Sequence, residues 1–356
     1  MSTVRLDDYE ALARRHLPGD VYDYFAGGAC DERTLQDNRD SFDRVRLRGR
    51  VLRGVEDRSL ATTLLGQPVS MPLMVAPVAF QRLAYEDGEL ATARAAAAAG
   101  AVMILSTLAT VAIEEVVAIA GRNLWFQLYV YKDKGLTHEL VRRAEQSGCG
   151  ALVLTVDGQV WGKRDRDVRN AFTLPDGMSL ANLTGAGHGK LPQPADGSGL
   201  AAYVTSLFDT ALSWDAVAWL AAQTSLPVVV KGILHPDDAR LAVAHGAGAV
   251  FVSNHGGRQL DTSAAALDAL APVVDAVDGR CEVYMDGGVR RGTDVVKALA
   301  TGARAVAIGR PVIWGLAAGG TRGVSRVLAM LREEIDIAMA LCGAAGPHEL
   351  ARDVLL

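Results

Sequence analysis

From about residue 70 onward, short apolar runs take turns with stretches of helical periodicity. The runs fall at 73–76, 102–105, 124–128, 151–156, 228–230, 249–252, 282–285 and 305–308. They are nearly all apolar rather than alternating, which suits strands buried on both faces of a parallel sheet. The intervening apolar spacing predicts helices at 88–100, 112–120, 135–147, 213–223, 236–245, 263–277, 292–301 and 322–341. Strand–helix alternation of this kind implies parallel pairing. Eight units in one chain predict an α/β fold of the closed (β/α)8 barrel type rather than an open doubly wound sheet. No G-x-G-x-x-G follows the first run, which weakens the open-sheet alternative further.

Ahead of the barrel, residues 1–45 read as polar helices. Asp7 or Asp8 can cap a first helix through Leu12 and Ala13, stopped near Pro18-Gly19, and a charged helix is expected from Asp31 to about Phe42. The expected organisation is a single unit over 1–356, with an N-terminal helical extension (1–65) and a barrel (66–356). One connection is far longer than the rest. Between Phe172 and Leu212 the chain is rich in Gly, Pro, Ser and Asn, as in Asp176-Gly177 and Pro192-Gln193-Pro194-Ala195-Asp196-Gly197. Loops beyond ~12–15 residues are usually functional, so a mobile lid is expected at about 173–211, after the fourth strand.

Composition narrows the class. The 356 residues are 50% hydrophobic and only 22% charged, enough for a large core. A net charge of −5 argues against a general nucleic-acid binder. Cys30, Cys149, Cys281 and Cys342 are scattered and form no CxxC pair, so no zinc site, other metal centre or disulfide framework is expected, and a reducing compartment fits. The first residues lack a signal-peptide core, and no apolar run approaches the ~18 residues of a membrane span. The final residues are no peroxisomal address. A cytoplasmic protein without membrane or nucleic-acid partners is the expectation.

The residues at and just beyond the strand ends carry the chemistry. In order come Pro77, Ser106, Gln127 with Tyr129, Thr155 with Asp157, Lys231, Ser253 with His255, Asp286, and Gly309 with Arg310. Barrel enzymes build their sites at these strand ends, where the loops converge. The densest stretch is Ser253-Asn254-His255-Gly256-Gly257-Arg258-Gln259-Leu260-Asp261. His255 titrates near neutrality, Gly256 and Gly257 let the backbone turn, and Arg258 offers a fork for a carboxylate or phosphate. A base and an anion clamp at the end of a buried strand suggest proton removal from an anionic substrate. Asp157 and Arg164 flank the start of the loop after the fourth strand; the Asp can orient a histidine ring, while Arg164 reads either as a clamp or as part of a solvated charged run. Lys231 reads either as a snorkelling side chain or as a fixed positive charge facing an anion or an electron-rich ring. Tyr24, beside Gly27-Gly28, either packs on the core or sends its hydroxyl into the site. Asp286-Gly287-Gly288-Val289-Arg290 after the seventh strand, paired with Gly309-Arg310 after the eighth, predicts a phosphate-bearing ligand, since these two loops form the usual phosphate site of the barrel.

The run at 253–261, the DGGVRRGTDV segment at 286–295, Tyr22-Asp23-Tyr24 near the start and Gly309-Arg310-Pro311 near the end carry a resemblance over nearly the whole chain. The sequence resembles the FMN-dependent 2-hydroxy acid oxidases and dehydrogenases, the glycolate oxidase, lactate oxidase and mandelate dehydrogenase group. The resemblance implies FMN as cofactor, oxidation of an (S)-2-hydroxy acid to a 2-keto acid, and a homotetramer. It implies His255 as catalytic base with Asp157 as its partner, and Arg258, Arg164 and the Tyr24 hydroxyl as carboxylate ligands. Tyr129 would hydrogen-bond the reacting oxygen. Lys231 would lie near flavin N1 and Ala79 near flavin N5. Ser106, Gln127, Thr155 and Ser253 would be polar cofactor contacts, with Pro77 and Val78 beside the ring. Asp286, Gly287, Gly288, Val289, Arg290, Gly309 and Arg310 would hold the ribityl and phosphate groups.

Four positions depart from the family pattern. Leu108 stands where glycolate oxidase-like members carry Trp, which reshapes the pocket and, with Phe80, points to a larger, mandelate-like acid. Val78 replaces a common Thr. Gly158-Gln159 replaces the usual Thr-Pro, for which a looser loop is expected. Residues 177–200 are polar, unlike the membrane-binding insert of mandelate dehydrogenases. Molecular oxygen, giving hydrogen peroxide, is the favoured acceptor; a quinone or protein acceptor, an aromatic acid in a biosynthetic pathway, a modified-peptide or isomerisation substrate, and a non-catalytic phosphate-binding barrel are the competing readings.

Overall fold

The computed structural model describes residues 3–193 and 196–356; Pro194 and Ala195 of the expected lid, and the first two residues, lie outside the described residues. Three helices come first: α1 (Leu6–His16), α2 (Gly19–Ala26) and α3 (Arg33–Arg44). The first helix starts one residue before the expected caps. Asp8 stabilises it from inside the first turn, accepting from the backbone N–H groups of Val4 at 2.8 Å and Arg5 at 3.0 Å. A two-stranded hairpin follows, β1 (Thr62–Leu64) and β2 (Gln67–Val69), turning on Leu65 and Gly66.

Then comes the alternation read from the sequence: β3 (Leu73–Val75), α4 (Gly88–Ala98), β4 (Met103–Leu105), α5 (Ile113–Ala120), β5 (Leu124–Leu128), α6 (Lys134–Ser147) and β6 (Leu152–Thr155). The long connection contributes α7 (Asp165–Arg169), α8 (Gly199–Leu207) and α9 (Asp215–Gln223). The chain continues through β7 (Val228–Ile233), α10 (Pro236–Ala244), β8 (Ala249–Val252), α11 (Ala266–Val277), β9 (Glu282–Asp286), α12 (Gly292–Thr301), β10 (Ala305–Ile308) and α13 (Arg310–Leu341). The last helix begins at 310, not at the expected 322, because Gly319 and Gly320 kink it without ending it.

Strands β3 to β10 pair in parallel and close on themselves, β10 beside β3. Closure leaves no sheet edge. Successive strand residues point to opposite faces, and both faces are apolar. Met74, Ile104, Trp125, Val229, Phe251 and Tyr284 fill the barrel interior. Leu73, Val75, Met103, Leu105 and their like pack outward on the helices. Leu64 and Val69 of the hairpin belong to the interior cluster, so the hairpin closes the end of the barrel where the strands begin. The boundary expected at 65 therefore falls inside that hairpin turn. No helix among the described residues is long and apolar enough to cross a membrane.

The long connection is seated rather than strung across the mouth. Ala181 N–H donates to Ala109 at 3.0 Å, Lys132 N–H to Leu207 at 2.9 Å, and Asp209 N–H to Val130 at 3.0 Å. Leu180, Leu183, Leu200, Val204 and Phe208 are buried. The segment expected as a mobile lid is thus tied, among its described residues, to the loops after β4 and β5.

Candidate active site

The loop after β8 is bent into place by three successive residues with positive φ: His255 at 60°, Gly256 at 65° and Gly257 at 75°. Glycine adopts this conformation without penalty, but a histidine does so at a cost of order 1–3 kcal/mol. The surroundings hold it there. Asn254 and Asn38 of α3 exchange side-chain amide hydrogen bonds at 2.8 and 2.9 Å. Asp261 accepts the N–H groups of Asp31 and Thr34 at 3.0 and 2.9 Å, capping α3 from the far end of the sequence. Gln259 donates to the carbonyl oxygens of Val160, at 2.9 Å, and Asp157, lacing the loop after β6 to the loop after β8.

Held this way, the His255 ring lines a cavity at the C-terminal ends of the strands. Its Nδ1 lies 2.8 Å from Asp157 Oδ1, and its Nε2 3.5 Å from the Tyr129 hydroxyl. Burial pushes the imidazole below its ordinary value, against the pull of the Asp157 carboxylate. Burial opposes ionisation of Asp157 too, but the positive charge and hydrogen bond of His255, with Lys231, keep it below its ordinary value. The pair thus favours an ionised Asp157 accepting from Nδ1–H and a neutral ring whose Nε2 lone pair faces the cavity. Burial pushes the Tyr129 phenol well above its usual range, so it remains a hydrogen-bond donor. Gly232 has φ 111°, and a Cβ there would come within 2.7 Å of the Asp157 carboxyl carbon. Glycine at 232 makes room for Asp157.

Two guanidinium groups stand beside this pair. Arg258 Nη1 donates to the carbonyls of Tyr24 at 2.7 Å and Gly27 at 2.8 Å, which fixes it to the end of α2. Arg164 is 3% exposed, stacks over the Trp161 ring at 3.7 Å and donates through Nε to the Arg258 carbonyl at 3.2 Å. Its Nη2 is buried without a partner among the described residues, and Asp167 is 3.8 Å from Nη1. Burial, together with the Arg258 charge, pulls the Arg164 guanidinium down to about 9. An anion between the two would relieve both costs. The Tyr24 ring stacks on Phe172 at 4.2 Å, and the residue also lines the cavity.

The opposite side of the cavity is a polar-studded strand-end wall. Gln127 bridges Thr155 at 3.0 Å and Ser106 at 3.3 Å. Lys231 is buried and does not snorkel: its Nζ donates to Ser253 Oγ at 2.7 Å and pairs with Asp286 at 3.0 Å. Pro77, Val78, Ala79, Gly287, Gly288 and Val289 line the same cavity. Asp286 Oδ1 and Arg290 Nε are buried with no partner among the described residues. A Cβ added at Gly309 would meet nothing of the protein closer than 3.4 Å, so that backbone is open to a ligand. A polar wall, a free carboxylate oxygen, and a free guanidinium N–H together with a bare glycine backbone fit, in that order, the ring, the polyol and the phosphate of flavin mononucleotide.

Some expected residues sit differently. Ser253 is behind the wall, accepting from Lys231 and from the His255 N–H at 3.1 Å, and does not line the cavity. Phe80 is fully buried against Tyr24 and Phe172 and is also off the wall, whereas Leu108 is on it. Arg310 lines the cavity but commits three N–H groups to the carbonyls of Phe25, Gly256 and Gly27, at 3.0, 2.9 and 2.8 Å. The residue expected at the phosphate is therefore also the strut that ties α2 to the loop after β8. Gly158, expected to loosen its loop, is buried. Trp161 and Leu200 also line the cavity. In the sequence, Trp161 is marked only as an aromatic three residues before Arg164, and Leu200 only as one apolar residue in a polar stretch.

The sequence profile described as FMN-dependent dehydrogenase matches residues 13–356. The chain belongs to that family. Among the relatives of this FMN-dependent dehydrogenase, the L-lactate oxidase of Nostoc sp. is 53% identical over 97% of this chain and 95% of its own length. Glycolate oxidase 1 of Zea mays is 52% identical over 97% and 93%. A solved structure of mandelate oxidase with (S)-4-hydroxymandelic acid superposes with a TM-score of 0.94 at 45% identity, over 99% of this chain and 98% of that one. The cofactor of this FMN-dependent dehydrogenase is FMN, as the fit of the wall indicates.

Proposed function

We propose that the protein oxidises an (S)-2-hydroxy acid to the 2-keto acid, with FMN as cofactor and molecular oxygen, reduced to hydrogen peroxide, as acceptor. One observation carries the reading: an imidazole, fixed by Asp157 at 2.8 Å and 3.5 Å from a phenol, shares a cavity with the buried guanidinium of Arg164 and the half-buried one of Arg258. Arg164 and Arg258, joined by Tyr24, hold the substrate carboxylate. Tyr129 donates to the oxygen on C2. His255 Nε2 accepts the proton that leaves the substrate, and Asp157 stabilises the imidazolium that results. FMN, when bound, would take up the two electrons that leave C2 together with the second proton lost from the substrate. Gln127, Thr155, Ser106 and Lys231 would hold its ring, Asp286 its polyol, and Arg290 with the backbone at Gly287, Gly288 and Gly309 its phosphate.

Leu108, Trp161 and Leu200 on the cavity wall support a substrate with an apolar side chain, a mandelate-like aromatic acid among them. The small Ala79 on the ring side supports access for oxygen rather than a bulky quinone. We further propose that residues 1–356 work as one unit, assembled as a cytoplasmic homotetramer, which light scattering of the purified protein would check. The purified protein should be yellow, and anaerobic addition of hydroxy acids should bleach its absorbance at about 450 nm. His255→Ala should retain FMN and lose that bleaching by a factor on the order of 10²–10⁴ in rate. Bleaching at the wild-type rate would overturn the assignment of the base. Comparing reoxidation by air and by a quinone analogue separates the acceptors.

A further inference from the structure

Gly158 follows Asp157 directly, and nothing in its backbone demands glycine: its φ is not in the left-handed region. What demands glycine is space. A Cβ at 158 would lie 2.7 Å from Tyr129 Cε1, 3.4 Å from Cδ1 and 3.7 Å from Cζ. The first of these is well inside the ~3.5–4.0 Å at which carbon atoms rest against each other. The Tyr129 ring also packs on Phe208, centroids 4.6 Å apart at 31°, and Phe208 is itself buried against Tyr131 at 5.2 Å. The ring is therefore packed against both a bare Cα and a buried aromatic. At its tip the hydroxyl reaches His255 Nε2 at 3.5 Å. Gly158 is not on the cavity wall and touches neither reacting group.

We propose that Gly158 is a positioning residue: the missing side chain at 158 sets where the Tyr129 hydroxyl stands relative to His255 Nε2, and through that hydroxyl sets the rate of oxidation. The inference rests on the reading of Tyr129 and His255 given above. In this chain, with the backbone at 157–159 as it stands, a side chain at 158 must displace the ring or the loop, because its Cβ would lie 2.7 Å from Tyr129 Cε1. A displacement of about 1 Å at a reacting group costs on the order of 10²-fold in rate.

The test is a double-mutant cycle on the FMN-loaded enzyme. Gly158→Ala should lower kcat roughly 10–100-fold. KM for the hydroxy acid should change by less than about threefold, because the carboxylate clamp is untouched, and FMN should stay bound. In a Tyr129→Phe background, where there is no hydroxyl left to misplace, Gly158→Ala should cost less than about twofold. Phe208→Leu, which removes the aromatic ring that Tyr129 packs on, should lower kcat in the same hydroxyl-dependent way. That variant answers the question should Gly158→Ala fail to fold. Equal losses with and without the Tyr129 hydroxyl, or a Gly158→Ala enzyme with wild-type kcat, would overturn the inference alone. A Tyr129→Phe enzyme that keeps wild-type kcat would overturn the reading of the site, and the inference with it.

Discussion

Burial and Asp157 pull the His255 imidazole in opposite directions, and burial wins. A base must be neutral to accept a proton, so kcat/KM should rise with pH through the His255 pKa and level off above it. With that pKa held below 6.5, the plateau is reached by neutral pH. Asp157→Asn removes the carboxylate that raises the histidine's pKa, while Lys231 and Arg164 continue to lower it. The acidic limb of the profile should therefore move to lower pH. The plateau should fall on the order of 10²–10⁴-fold, because the imidazolium formed in the reaction loses its counter-charge. A limb that moves to higher pH would contradict the pairing. Residue by residue, the run at 253–261 shows what a sequence discloses and what it hides. His255 and Arg258 were legible because their chemistry has few structural uses so close together. Ser253, Asn254, Gln259 and Asp261 are equally polar in sequence, yet they brace the loop instead of facing the ligand. Hydrogen-bonding type alone does not say whether a partner is protein or substrate.

Between elements, the loops after β3 and β4 are joined by a carboxylate that the chemistry does not use. Glu89, on α4, is wholly buried, and no cation among the described residues offsets its charge. Its oxygens accept the N–H groups of Gln81 at 3.2 Å and Thr110 at 2.9 Å, and the Thr110 hydroxyl at 2.7 Å. Burial raises its pKa above 4.5, more than these bonds lower it. A folded-state pKa above the unfolded one means stability that is full at acid pH and lost as pH rises through the raised value. Glu89→Gln keeps an acceptor for both N–H groups and removes the charge. The melting temperature of the wild type should therefore fall relative to Glu89→Gln as pH is raised above about 4.5, and parallel curves would show that burial of the charge is fully compensated. The barrel strands around these loops were legible, since eight apolar runs leave little choice. The β1–β2 hairpin was not: three-residue strands carry no periodicity, and its Leu65-Gly66 turn, with φ 48° and 76°, lacks the usual Asn or Asp. The start of α13 was hidden for the opposite reason, since Gly319-Gly320 reads as a stop and acts as a kink.

For the molecule as a whole, sequence marks 173–211 as the segment to be cut first, because it is long and polar. The fold moves that weakness elsewhere. Backbone hydrogen bonds and buried leucines tie this stretch to two barrel loops, although 175–177, 184–187, 190, 192–193, 196, 205–206 and 210 are exposed among the described residues. The chain between α3 and β1, by contrast, runs from the mouth of the barrel to its closed end with almost no secondary structure. Leu52 is fully exposed and Val51 nearly so. It is tacked down by Arg50 N–H to Leu341 at 3.2 Å, the Arg58–Asp336 pair at 2.7 Å, and Ser59 N–H to Ala345 at 2.8 Å. Proteases act on backbone that can leave the surface locally. Trypsin should therefore cut first at Arg50 or Arg53, far from the cavity, and the nicked protein should keep both FMN and turnover. Cleavage within 173–211 should come later. It should spare FMN, whose expected contacts lie on strand ends, while raising KM for the hydroxy acid, because Leu200 on the cavity wall belongs to that segment. Mass spectrometry of the fragments, timed against absorbance and activity, reads both steps. A first cut inside 173–211 accompanied by loss of flavin would mean that the long connection, not the strand ends, retains the cofactor.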